Sequence, residues 1–256
     1  MKFASPIHFI FSAIILLSLF SCNEKEEFDS APLTDYVPVQ SGKYIIYRLD
    51  SVVYTDFGTT TEIHKYQAKH EVDSEFTDLM GQQTFRIFRY LRDSAGVGAW
   101  QPNGTYTITL TTDQVEVEED NLRFIKLHRP MRAGFTWKGN RYLPYNPYDT
   151  LGFKFSNDDD MQSWDFYYQG PDPSFTYRGN TYADIFTVEE VDESFNAPVT
   201  IPTSYGSMNR GVEKYAKGIG LVYREYEMWE YQPNPGGARG PYRIGWGLRM
   251  WMIDHN

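Results

Sequence analysis

One thiol, five imidazoles and 34 carboxylates are the reactive side chains of this 256-residue chain, and their spacing decides which chemistry is open to them. Cys22 is the only cysteine, so no disulfide can form within the chain and a multi-cysteine zinc site is excluded. Its surroundings give it a different role. Residues 7–20 are a largely apolar run behind Lys2, Ser21 is small, and Asn23-Glu24-Lys25-Glu26-Glu27 follows at once. A buried core cysteine does not sit between an apolar leader and a charged run, whereas a thiol next to a processing point does. His64 and His70 are six residues apart on one predicted strand. They share a face, but at roughly 3.3 Å per residue they lie about 20 Å apart and cannot share a metal. His128 and His255 have no ligand pattern around them, and Asn157-Asp158-Asp159-Asp160 lacks the alternating spacing and glycine of a calcium loop. There is no nucleophile elbow, Walker loop or HExxH pair; acid pairs abound, and without a fold they cannot be ranked as glycosidase dyads. These residues point away from an enzyme and require no cofactor and no metal.

The elements that position Cys22 come first in the chain. A membrane-spanning helix needs about 20 apolar residues, and Pro6, His8 and Ser12 leave the run 7–20 shorter than that, as in the apolar region of a cleaved secretory signal. With Ser21-Cys22 at its end the leader resembles the lipobox of bacterial lipoproteins, although Phe20 stands where a smaller residue is usual. The resemblance implies a diacylglyceryl group on the Cys22 thiol, cleavage after Ser21 and acylation of the new amino group. Stable anchoring takes more than one acyl chain, which that chemistry supplies. Lys25-Glu26-Glu27 resembles the Lys-acidic-acidic signal that sends lipoproteins to the cell surface in Bacteroidota. Together these likenesses imply an outer-membrane, lipid-anchored protein on the cell surface or the periplasmic face, with membrane lipid as its partner through acylated Cys22. The expected organisation is a signal peptide over 1–21, a lipidated cysteine with a flexible acidic tether over 22–36, and a single β-rich domain over 37–256.

Removing residues 1–21 leaves 256 − 21 = 235 residues and, with Lys2 gone, takes the formal charge from −10 to −11. That acidic excess argues against nucleic acid, whose phosphates need a basic patch. Aromatic residues make up 17% of the chain, with 20 Tyr against 6 Trp, a composition that favours pleated surfaces. Strands are expected over 43–54, 62–72, 83–92, 105–111, 113–119 and 122–129, with Asp120-Asn121 as a tight turn. Residues 130–172 are looser, with short strands over 151–155 and 164–168, and 181–191 resumes strand character until Pro198 and Pro202. The pairs Trp137-Lys138-Gly139-Asn140 and Tyr177-Arg178-Gly179-Asn180 each read as a hairpin tip. Met208, Val212 and Tyr215 behind Ser207 predict a short helix over 207–217. A strand over 218–231 follows, and in the last one, 242–253, Ile244, Trp246, Leu248, Met250 and Met252 alternate with Arg243, Gly245, Gly247, Arg249 and Trp251, so one face must be core. The fold class is all-β, a mainly antiparallel curved sheet or partly open barrel with at most a short helix.

Tyr215-Ala216-Lys217-Gly218-Ile219-Gly220-Leu221-Val222 is similar to a Tyr-Ala-x-Gly-x-Gly-Leu-Val segment of uncharacterised Bacteroidota outer-membrane or surface lipoproteins, and Pro38 to Tyr44 resembles their Pro-x-x-x-Gly-x-aromatic start. The likeness implies fold and address and assigns no catalytic residue. Two functions are expected of such a domain. One is binding of an apolar ligand or a partner protein in a hollow lined by Tyr226, Trp246 and Met250. The other is glycan binding on exposed rings, with Trp229 and Trp251 side by side. Asp29-Ser30-Ala31, Asp50-Ser51-Val52, Asp93-Ser94-Ala95 and Asp149-Thr150-Leu151 resemble the acceptor pattern of Bacteroidota O-glycosylation, with Ser30 and Ser94 the best candidates because a sugar needs an exposed acceptor.

Overall fold

The computed structural model of the protein describes residues 30–234, 236 and 240–256. Leader, Cys22 and the Lys25-Glu26-Glu27 signal lie outside the described residues. After a four-residue helix, α1 (Leu33–Tyr36), the described residues form twelve strands: β1 (Tyr44–Thr55), β2 (Thr60–Thr77), β3 (Gln83–Asp93), β4 (Gln101–Leu110), β5 (Gln114–Glu119), β6 (Leu122–His128), β7 (Thr136–Trp137), β8 (Phe166–Tyr177), β9 (Asn180–Phe195), β10 (Gly206–Ala216), β11 (Gly220–Gln232) and β12 (Tyr242–His255). They make one sheet in the order β6-β5-β4-β3-β2-β1-β12-β11-β10-β9-β8-β7, with every pairing antiparallel.

That order is two meanders joined by the pairing of the first strand with the last. The two edges, β6 and β7, are consecutive in the chain, and curling of the sheet brings them together. Ile125 N–H donates to the Gly139 carbonyl at 2.8 Å, Trp137 Nε1–H donates to the Ile125 carbonyl at 2.9 Å, and Lys126 Nζ reaches Glu190 of β9 at 2.6 Å. The result is a nearly closed barrel, which removes the unpaired strand edges that an open sheet would present to other chains.

Local chemistry explains most of the strands. Asp120 and Asn121 take φ of 53° and 61°, the doubly positive pair that a tight β5–β6 hairpin needs and that Asp and Asn tolerate. The β8–β9 hairpin turns on Arg178 and Gly179, with φ of 51° and 84°. Its echo at Gly139 is not a hairpin tip. A Cβ there would lie 2.2 Å from the Phe166 ring, so glycine lets the backbone pass over that ring beside the barrel seam.

Three expectations are corrected. Of residues 207–217, expected as helix, 207–216 are strand because they pair with β9 and β11, and Lys217 begins the turn that follows. Residues 151–155 hold no strand, only the end of a 3-10 turn at Asp149–Leu151. The packed chain also begins before Val37. Leu33 and Tyr36 are 6% and 4% exposed, and the Ser30 hydroxyl accepts a bond from Met131 N–H at 2.8 Å. The stretch 30–36 is therefore docked on the barrel rather than free tether.

The barrel interior is divided along β11. Tyr226 and Met228 face a plug made by residues 138–165, in which Leu143, Tyr148, Phe155 and Met161 are buried against Leu122. Before Tyr226 on the same strand, Gly220, Leu221 and Arg224 border a space that the chain does not fill. At its seam side, α1 and Val37 pack with Trp137, Phe166, Tyr168 and Phe186.

Candidate ligand-binding cavity

Strand alternation turns one apolar side chain after another toward this space: Val72 from β2, Ile87 from β3, Ile108 from β4, Val115 and Val117 from β5, and Leu221 from β11. All but Leu221 are β-branched, which suits strands, and their modest size leaves a gap that larger rings fill elsewhere in the barrel. The cavity holds about 90 Å³. At roughly 30 Å³ per water, that is room for about three waters. Protein interiors are close-packed, with few voids larger than a single water, so a gap of this size is a feature of the barrel.

The rim is formed by Pro38, Lys43, Tyr44, Ile219 and Gly220. Lys43 Nζ donates to the Gly218 carbonyl at 3.2 Å, and Gly218 N–H donates to the Asp35 carbonyl at 2.6 Å. Gly220 has a φ of 112°, and a Cβ on it would press on Ile45 Cδ1 at 3.4 Å, so the turn between β10 and β11 needs glycine there. The two segments that carry the family resemblance, 38–44 and 215–222, thus meet at the mouth of the cavity.

Its floor is polar and charged, with Tyr47, His70, Tyr106, Lys126, Tyr215 and Arg224. Glu213, 1% exposed, is the hub. It accepts from Arg224 Nε at 2.6 Å, lies 3.2 Å from Lys126 Nζ and accepts from the Tyr215 hydroxyl. Burial pushes the Glu213 carboxyl up, but Arg224 and then Lys126 outweigh it and hold it down at about 2. Glu190 goes the other way, raised by burial against the pull of Lys126 and with Glu213 adding to the rise. His70 shares a 2.9 Å hydrogen bond with the Tyr106 hydroxyl. Burial first, then the fields of Arg224 and Arg89, press its pKa down to about 3, so the imidazole is neutral. Arg89 is paired with Glu119, which also borders the cavity. Among the described residues no three His, Cys, Asp or Glu side chains form a metal site, and no helix is long and apolar enough to cross a membrane.

The residues singled out in the sequence fall elsewhere. Tyr226 and Trp246 stack at 4.9 Å and 22°, with Tyr148 edge-on to Trp246 at 5.7 Å and its hydroxyl 2.9 Å from that of Tyr226. Met250 is 4% exposed, among Tyr47, Val222 and Met252. The hollow expected at these three residues is occupied by the plug and by β1, and none of them borders the cavity. Trp229 and Trp251 are on the outer face but not side by side. Trp251 pairs with Tyr223, six residues from Trp229, or about 20 Å along the strand. Trp229 is 5% exposed, covered by the Arg243 guanidinium, while Trp251 stacks on Tyr177 at 5.4 Å. Ser94 is exposed at the β3–β4 turn; Ser30 is half-buried. The cavity floor was missed because its members come from six strands, and the one available signal was charged residues at inward positions of β6, β10 and β11.

No family model matches the chain, and no curated protein does. Solved structures similar to it include a protein from Bacteroides fragilis described as exported, with a YmcC-like fold, at 12% identity and TM-score 0.32 over 85% of this chain and 96% of that one. A domain from Vibrio parahaemolyticus described as an outer membrane lipoprotein-sorting protein domain has 10% identity and TM-score 0.18 over 84% and 85%. A DUF1329 family protein from Desulfovibrio piger has 11% identity and TM-score 0.20 over 88% of each chain. Likeness at this level carries no conclusion about ligand or location, and the reading of function rests on the cavity.

Proposed function

We propose that the protein is a non-enzymatic envelope lipoprotein, held in the outer membrane through acylated Cys22, whose barrel takes an apolar ligand into the cavity between β1–β5 and β11. The observation that carries the binding half is an apolar-walled gap of about 90 Å³ in a barrel whose other half is plugged by its own chain. Ligand sites are concave and mostly apolar, with a few placed polar groups, and small barrels take ligands at their mouths. The anchor rests on the lipobox resemblance. Burying apolar surface contributes about 25 cal/mol per Å², so a short hydrocarbon chain leaving water for this cavity gains several kcal/mol before losing its own freedom.

The test is calorimetric titration of 1-octanol into residues 22–256 carrying Cys22→Ser, produced without the apolar leader 1–21 and therefore without detergent. An eight-carbon chain is chosen because a methylene has roughly the bulk of a water, so about three methylenes fill the cavity and the remainder runs out through its mouth. The expected result is saturable binding with a negative heat-capacity change, abolished by Val117→Phe, which puts a ring into the cavity. Absence of binding, or binding that Val117→Phe leaves unchanged, refutes the assignment.

A further inference from the structure

The floor of the cavity carries more cationic hydrogen-bonding capacity than the protein uses. Arg224 has five N–H donors. Among the described residues it makes one hydrogen bond to protein, from Nε to Glu213. Its two Nη groups have no hydrogen-bond partner there, yet they are not sealed in apolar surroundings, because the side chain keeps 19% of its surface and borders the cavity. Unsatisfied guanidinium N–H groups at the bottom of an apolar shaft are a receptor for a planar anion, since the fork matches a carboxylate in two parallel bonds.

The surrounding charges agree. Lys126 lies 2.6 Å from Glu190 and 3.2 Å from Glu213, so each carboxylate near Arg224 is already engaged by a cation. Glu119, the other acid on the cavity wall, is paired with Arg89. Burial raises Glu190 toward its neutral form, and the fields of Arg224 and Arg89 help keep His70 neutral. The first effect tips the floor toward positive charge, and the second reports the cationic field already there. Tyr106 and His70 share one hydrogen bond at 2.9 Å, which leaves the pair one neutral donor for a second oxygen.

Building on the cavity reading, we propose that the ligand is an anionic amphiphile, a short acyl chain ending in a carboxylate, bound head first with its carboxylate on the Nη groups of Arg224 and its chain running out between Ile108, Val117 and Leu221 toward Lys43. This orientation distinguishes the site from a surface that merely collects lipid, where the charged head stays in water and the rim lysine would hold it.

The experiment compares octanoate with 1-octanol at pH 7 in residues 22–256 carrying Cys22→Ser, then in the same chain with Arg224→Gln, Arg224→Lys or Lys43→Gln added. The proposal expects octanoate to bind at least tenfold more tightly than octanol. Arg224→Gln should bring octanoate to the level of octanol while octanol binding persists, Arg224→Lys should keep part of the preference, and Lys43→Gln should leave it intact. Equal affinity of the two ligands in the unsubstituted barrel overturns the anionic head while the cavity reading stands, and this arm needs no variant to fold. Loss of the preference with Lys43→Gln places the head at the rim and also overturns the proposal. Binding of neither ligand removes the cavity reading itself.

Discussion

Replacing Glu213 by glutamine keeps its shape and removes one charge at the hub of the buried network. The carboxylate is 1% exposed and faces two cations, Arg224 Nε at 2.6 Å and Lys126 Nζ at 3.2 Å. Removing one partner from a buried ionic group costs about 3–5 kcal/mol. Its pKa leads to a similar figure. Glu213 lies at about 2 against an ordinary 4.5, and at 1.36 kcal/mol per unit this is about 3 kcal/mol of stability at neutral pH. For a chain of this size 1 kcal/mol moves the melting temperature by roughly 2–4 °C, so Glu213→Gln should lower it by about 6–20 °C at pH 7. The sign in acid follows from the depressed pKa. The contribution is present above pH 4.5 and is lost as pH falls toward 2, so the gap between the two proteins should shrink by about half or more at pH 3. Glu190 offsets part of the loss, because Glu213 contributes to its rise and in the glutamine variant its carboxylate is less opposed, so the shift belongs toward the lower end of that range. Calorimetric melting at pH 7 and pH 3 measures both. A gap under about 2 °C at pH 7, or one that widens in acid, refutes the network.

Trp246→Ala should destabilise by about 3–5 kcal/mol, because the ring stacks on Tyr226 and meets Tyr148 edge-on; an unchanged melting temperature contradicts its place under the plug. Cys22→Ser should abolish labelling of the protein by a fatty-acid probe in its native host, and labelling that survives the substitution ends the anchoring claim. If that host glycosylates the Asp-Ser motifs, the sugar should be on Ser94, which is exposed, rather than on Ser30, whose hydroxyl accepts a bond from Met131 N–H. Intact mass before and after Ser94→Ala decides this, and a mass equal to the lipidated polypeptide alone excludes the modification.

Strands whose inward side chains are apolar were legible residue by residue. The stripe Ile244 to Met252 is inward along β12, and Asp120-Asn121 marked the β5–β6 turn by its chemistry. β10 was misread for a physical reason. Its buried positions include Asn209 and Glu213, so hydrophobic alternation is absent, and irregularities at Gly211/Val212 and Lys214/Tyr215 shift the phase of what remains. Those breaks left Met208, Val212 and Tyr215 at a spacing that mimics a helix. The cavity floor was illegible for a related reason. Tyr47, His70, Tyr106, Lys126, Tyr215 and Arg224 are spread over the chain and meet only once the barrel closes. His70 could be weighed only against His64 on its own strand, whereas its partner, Tyr106, is 36 residues away. The sequence points to an apolar hollow at Tyr226, Trp246 and Met250 because nothing in the run 138–165 announces that it folds inward as a plug.

The most direct test of the account is a crystal structure of residues 22–256 carrying Cys22→Ser soaked with octanoate. The account predicts continuous density for the acyl chain between Ile108, Val117 and Leu221, ending in a carboxylate on the Nη groups of Arg224. A cavity that holds only ordered water while octanoate is absent or lies on the outer face would contradict it.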